Sequence, residues 1–286
     1  MASDSRISFG PRGHADVGVK VMRLPIRILG TELDDSGLLK VSFERTYGFC
    51  YAGSLANAAT FKQLVEDLLL DVQYVSEDKP LSFDELCAFL CHFCSKVSTE
   101  VVARMSEHGR YTFFIAGICP HSDQLRGARF HLSQADGRSH AAFEEVAIHD
   151  GETVAVGTGS APFEATIAGQ TVTMENVLLA VNHVIDQGAV ESVGGDIQYG
   201  SFGSDGNFTV SGLARTSIEE AEDGGVHYGP SQQRAFRYRG FELYGGWQAD
   251  DPFWPSPGFI ELNVPSNNES NRQFVEACRR NVAGHQ

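Results

Sequence analysis

Two long helical patterns run back to back in the first third of this chain, separated only by a short polar connector. Ser54 is a good N-cap for Leu55–Val72, where Leu55, Ala58, Phe61, Val65, Leu68 and Leu69 recur at helical spacing. Pro80 closes the connector. Ser82-Phe83-Asp84-Glu85 then forms a capping box that opens a second helix to about His108. Strand patterns flank this pair. Ser3–Ser8, Val17–Leu29, Leu38–Glu44 and Tyr47–Ala52 precede it; Tyr111–Ile118 and Gly127–Gln134 follow, with Asp136-Gly137 as a hairpin turn. Thr153–Gly159 reads as a short strand ending in glycines. Two more helices come next, of which Met174–Gln187 is capped by Thr173 and ended by Gly188, and Gly194–Phe202 restarts a strand. Helices that arrive in pairs between strand sets argue against a parallel doubly wound sheet. The expected class is α+β, two stacked antiparallel sheets with helix pairs outside them.

At 286 residues the chain can bury a large core in one or two domains. The texture changes after about Ser204, so the expected division is a body, 1–204, and a C-terminal extension, 205–286. In the extension, Ser211–Gly225 is polar and acidic, and Arg234–Tyr244 reads as a hairpin around Gly240. Gly245–Pro257 is rich in Gly, Pro and aromatics, and Asn267–Val282 as a short helix. The aromatics Phe236, Tyr238, Phe241, Tyr244, Trp247, Phe253 and Trp254 are expected to pack on the body or to contact a neighbouring protein.

The formal net charge of −15 opposes nucleic acid or an anionic membrane as partner, since each needs a basic face. No apolar run approaches the roughly 18–20 residues that cross a bilayer, and no signal peptide precedes Asp4. Six cysteines in so long a chain do not make a secreted disulfide framework, so a reducing cytoplasm is expected. Cys87, Cys91 and Cys94 share one helix face with Leu90. A straight helix splays three such ligands over two turns, so they read as small buried hydrophobes, and neither a metal nor a cofactor is expected. His121-Ser122-Asp123 reads as a loop.

The residues that carry chemistry stand at the start. Asp4-Ser5-Arg6 and Lys20 are separated by a stretch containing the turn Gly10-Pro11-Arg12-Gly13. That spacing fits two neighbouring strands, on which an Asp4/Lys20 pair offsets each partner's desolvation. A lysine so placed can depress the pKa of an adjacent amine or hydroxyl. The plainer reading is a structural ion pair or two unrelated surface charges.

These and later blocks resemble the N-terminal-nucleophile hydrolases of the proteasome β-subunit and HslV type. Ala2-Ser3-Asp4-Ser5-Arg6 is similar to that family's second strand, and Lys20-Val21-Met22-Arg23-Leu24 to the segment opened by its active-site lysine. Gly48-Phe49-Cys50-Tyr51-Ala52-Gly53-Ser54 is similar to its strand-to-helix block, and Val156-Gly157-Thr158-Gly159-Ser160 to its glycine-rich turn. Gly194-Gly195-Asp196-Ile197 is similar to its double glycine. The resemblance implies a four-layer α-β-β-α sandwich and peptide or amide hydrolysis by a threonine-type nucleophile. The substrate would be a peptide or amide, and the chain a homo-oligomer, such as a ring. It implies catalytic roles for Asp4, Lys20, the Gly53 amide as oxyanion donor, and Thr158, with Arg6 and Gly159 in support.

There are departures. The nucleophile-bearing first strand is not in this chain, and Leu29 to about Thr46 is an insertion. The window before Gly194, Gly188-Ala189-Val190-Glu191-Ser192-Val193, puts apolar residues where the family has an aspartate and a serine, with Glu191 out of register. Two alternatives therefore stand beside the hydrolase: a non-catalytic ring or scaffold subunit, and a cytoplasmic binding module that uses its aromatic tail.

Overall fold

A computed structural model describes residues 1–8, 13–73, 81–148, 151–220, 226–228, 235–239, 241–242 and 258–265. In chain order, short strands β1 (Ala2–Ser3), β2 (Ile7–Ser8) and β3 (His14–Ala15) lead into the long pair β4 (Val21–Leu33) and β5 (Leu39–Gly53). Helix α1 (Leu55–Leu69), strand β6 (Val72–Gln73) and helix α2 (Phe83–Met105) come next. Strands β7 (Tyr111–Ile118), β8 (Leu125–Ala135) and β9 (Arg138–Val146) precede helices α3 (Ser160–Ile167) and α4 (Met174–Gln187). The rest is β: β10 (Gln198–Phe202), β11 (Phe208–Glu220), β12 (Val226–Tyr228), β13 (Ala235–Tyr238), β14 (Phe241–Glu242) and β15 (Phe259–Pro265). The chain is thus mixed α+β, with three sheets and four α-helices among the described residues.

It divides into two compact units that interleave in sequence. The first comprises Met1, Lys20–His149 and Gly200–Thr209; the second comprises Ala2–Val19, Asp150–Tyr199 and Val210–Gln286.

The first unit is built on a sheet ordered β6-β4-β5-β7-β8-β9. Alternate residues of its strands (Leu24, Ile26 and Ile28; Tyr47, Phe49 and Tyr51; Phe113 and Ile115) are buried against Phe61 and Val65 of α1 and Leu86 and Leu90 of α2. Each such side chain stabilises the fold by about 1.5–3 kcal/mol on burial. Phe113 stacks on Phe130 with ring centroids 4.3 Å apart. The capping box forms as expected: the Glu85 N–H donates to the Ser82 hydroxyl, and the Ser82 N–H donates back to the Glu85 carboxylate. By length and composition the 23-residue α2 could cross a bilayer, contrary to the expectation that no run approaches this. Its apolar character has a local cause, since Phe83, Leu86, Cys87, Leu90, Cys94 and Val102 are buried in this core. α2 also shields the outer strand of the sheet. Thr99 and Ser95 accept the N–H groups of Ser139 and Ala141 on β9, at 3.0 and 2.9 Å. An edge strand is thereby kept from pairing with another chain there.

In the second unit the sheet runs β1-β10-β11-β13-β14, with β12 and β15 also paired to β11. α4 buries Leu178 against Ile197, Leu213 and Leu262, and α3 packs on α4. Thr173 caps α4, and Gly188, at φ 59°, ends it. β2 and β3 form a separate two-stranded ribbon.

Several expectations are corrected. The sheets are not wholly antiparallel, because β4 pairs β6 and β11 pairs β15 in parallel. Each unit shows one large sheet and a helix pair, which is coarser than the four-layer sandwich expected. Ser3–Ser8 is broken at Asp4–Arg6, because the Asp4 carboxylate takes the Arg6 N–H and bends the chain out of a ladder. Thr153–Gly159 is irregular rather than a strand, its end turned by Gly157 at φ 92°. Leu38–Glu44 and Tyr47–Ala52 are one strand, because nothing at Arg45-Thr46 interrupts pairing with β4. The polar run after Ser211 continues β11 to Glu220. Tyr244, Trp247, Phe253, Trp254 and Asn267–Val282 lie outside the described residues.

Candidate functional site

In the second unit Asp4 and Arg6 reach Gly194, Glu191 and Val193, and Thr158 and Gly159 meet Ser192 and Val193 of the same segment. Arg6 follows the bend made by Asp4 and sits one step beyond the ribbon pairs Ile7↔Ala15 and Ser8↔His14, so Asp16 lies opposite it. Its Nε and Nη2 donate to the two carboxylate oxygens of Asp16 at 2.7 and 3.0 Å, the bidentate geometry that suits guanidinium best. Nη1 donates to the backbone carbonyls of Glu191 and Val193 at 3.3 and 3.4 Å. Hydrogen bonding to Asp16 raises the Arg6 pKa, burial opposes this, and the charges of Asp16, Asp4 and Glu191 add to the rise. The guanidinium is therefore permanently charged, and its charge is met by internal partners.

Asp4 is committed in the same way. One carboxylate oxygen accepts the N–H groups of Arg6 and Gly194, at 3.1 and 3.2 Å, and the other faces the Ser3 hydroxyl at 3.5 Å. Ser5, fully buried, locks the centre. Its hydroxyl donates to the Asp16 carbonyl and accepts the Asp196 N–H, at 3.1 and 2.8 Å, while its own N–H reaches the Gly194 carbonyl. Gly194 and Gly195 are required by this packing. A Cβ at Gly194 would collide with the Arg6 guanidinium, and one at Gly195, where φ is 75°, with the Ser5 hydroxyl. Asp196 is paired in turn with Arg237 at 3.2 Å.

Thr158 is exposed at the turn before α3, and its hydroxyl bonds that of Ser192 at 2.5 Å. Gly159 leaves room for the Val193 side chain. A hydroxyl is activated as a nucleophile by an adjacent base, a lowered pKa or a metal ion. The hydroxyl that Thr158 bonds, that of Ser192, is itself neutral.

Lys20 and Gly53 belong to the first unit. Lys20 lies just before β4. Gly53 ends β5 at φ 108°, and a Cβ there would press on the Arg110 carbonyl at 2.6 Å. The Ser54 N–H donates to that same carbonyl, and Ser54 caps α1. The glycine is thus accounted for by the path from strand to helix. Among the described residues no three His, Cys, Asp or Glu side chains converge as a metal site.

Asp16 and Ser192 were not singled out from the sequence, and Ser5 was quoted in its motif without a role of its own. The spacing that pairs Asp4 with Lys20 sets Arg6 opposite residue 18, so the register that brings Asp16 there was not read from it. Ser192 carried no sequence signal. Cys119, in the first unit, was also passed over. Burial pushes its thiol up, but hydrogen bonds from the Ser122 hydroxyl and from the N–H groups of Ser122, Phe83 and His121 outweigh this and lower its pKa.

No protein-family model and no curated protein matches the chain. Among solved structures it is similar to Anbu (ancestral beta-subunit) from Yersinia bercovieri, at 17% sequence identity and a TM-score of 0.42, over 69% of this chain and 74% of that one. The similarity is weak. The resemblance to N-terminal-nucleophile hydrolases of the proteasome β-subunit and HslV type is accordingly withdrawn: no family match supports it, and a likeness this loose assigns no family.

Proposed function

We propose that this chain is a non-catalytic structural subunit, whose work is to hold a shape and present a surface to a partner rather than to break a peptide or amide bond. One observation carries this reading. The side chains of Asp4, Ser5 and Arg6 are spent on holding three chain segments together. Arg6 bonds Asp16 and two carbonyls, Asp4 bonds two N–H groups, and Ser5 bonds both sides of the cluster. Catalytic donors and bases need capacity left for a substrate or transition state. A brace needs the opposite, and groups bonded in this way are what a brace requires.

The test is turnover of a broad panel of fluorogenic peptide and amide substrates by the full chain and by Asp4→Asn and Thr158→Ala. The expected result is no release above the blank for any of the three. Turnover by the wild-type chain that disappears in Thr158→Ala, with the fold intact by circular dichroism, would replace this reading with an enzymatic one.

A further inference from the structure

Strand register sets two of this chain's ten histidines together on the β8–β9 hairpin. Alternation sends Phe130, Leu132, Ala141 and Phe143 into the core with α2 and leaves His131, Ser133, His140 and Ala142 exposed on the other side. His131 pairs with Ala142, and Ser133 with His140, so the two histidines are diagonal neighbours on that open face. Such neighbours lie roughly 7–8 Å apart, within reach of long and aromatic side chains. The scaffold beneath them is regular. Pairing runs unbroken from Gly127↔Val146 to Ala135↔Arg138, and the Asp136-Gly137 turn closes it. Among the described residues neither imidazole has a hydrogen-bond or ion-pair partner. Their charged neighbour differs, since Arg129 on the same face is paired with Glu144.

We propose that His131 and His140 together bind one divalent transition-metal cation, of the zinc, nickel or copper kind, with water completing its coordination. Imidazole suits these ions. Calcium and magnesium need several oxygen donors, and the nearby carboxylate, that of Glu144, is spent on Arg129. The chain's net charge of −15 draws cations and opposes an anionic ligand at the same pair. Arg138, two residues before His140, opposes the ion, but it stands exposed in water, where its field is weakened. Two donors are fewer than the three or four of a catalytic or structural zinc centre, so the remaining positions go to water. That number agrees with the absence of a three-residue cluster among the described residues. The ion ties β9, at the edge of its sheet, to β8. The proposal stands apart from the structural-subunit reading and goes beyond it.

The test is calorimetric titration of the full chain with Ni²⁺, with absorption spectra to report the type of ligand. The wild type is expected to bind a single equivalent without thiolate-to-nickel charge-transfer absorption. His131→Ala and His140→Ala, both at exposed positions, should each weaken binding at least about tenfold, because the second ring binds at a high effective concentration. Neither should move the thermal midpoint measured without metal. His140→Ala with Ala142→His places the two rings directly opposite each other and should restore binding. A wild type that takes up no Ni²⁺ overturns the proposal. So does binding that survives both single variants, binding that carries thiolate absorption, or a failure of Ala142→His to restore it. Each of these outcomes leaves the structural-subunit reading standing, because that reading is judged by turnover.

Discussion

Arg6 shows how a single side chain can look catalytic in sequence and prove mechanical in the fold. Next to an aspartate in a short polar motif, it suggests chemistry. In the structure it joins Asp16 to the carbonyls of Glu191 and Val193, and Asp4 accepts the N–H of the adjoining Gly194. The motif was legible in sequence, but the register that brings Asp16 opposite Arg6 was not. The carbonyl partners were not, because a backbone oxygen leaves no mark on residue type. Partly buried thiols give a second residue-scale prediction. Burial pushes Cys50 up to about 11, and burial with the neighbouring Cys94 does the same for Cys91. A raised folded-state pKa stabilises fully below the unfolded thiol value and is lost as pH rises through the folded one. The thermal midpoint should therefore fall between about pH 9 and pH 11. Cys50→Ala should flatten that fall, and an unchanged slope in the variant would remove this account of it.

At the scale of the element, caps and periodicity told most of the story. Ser54, the Ser82–Glu85 box, Thr173 and Gly188 each act where the sequence placed them. The turn Asp136-Gly137, with φ of 53° and 72°, joins β8 to β9. The misses share a cause. At Asp4 a side chain captured a backbone N–H, and in β11 the ladder with β13 and β15 overrode a polar composition. The α1–α2 pair is also held by polar groups the pattern could not reveal. Asn57, fully buried, donates to the Gly109 carbonyl at 2.7 Å and accepts from Ser98, which lies beside Cys94 and Tyr111. Asn57→Ala should cost about 2–3 kcal/mol, since it strands both partners, read as a lower urea midpoint with unchanged slope. Gly53→Ala should cost about 1–3 kcal/mol for its φ, together with the collision at the Arg110 carbonyl. A neutral result would mean that the turn into α1 adjusts freely.

For the molecule as a whole, composition and element order fixed the α+β class but not how the chain is shared out. The two units interleave, so that Ala2–Val19 groups with segments some 150 residues away in sequence. No local pattern encodes such long-range partners. The Leu29–Thr46 insertion is the outer part of the β4–β5 hairpin, and in sequence it was visible only as extra length. The account's central claim is that the cluster around Arg6 braces the second unit. Its most direct test is the urea unfolding of Arg6→Ala beside the wild type, with the peptide panel run on both. The account predicts a loss of about 2 kcal/mol and no turnover in either protein. Unchanged stability, together with a hydrolytic activity present in the wild type and missing in the variant, would contradict it.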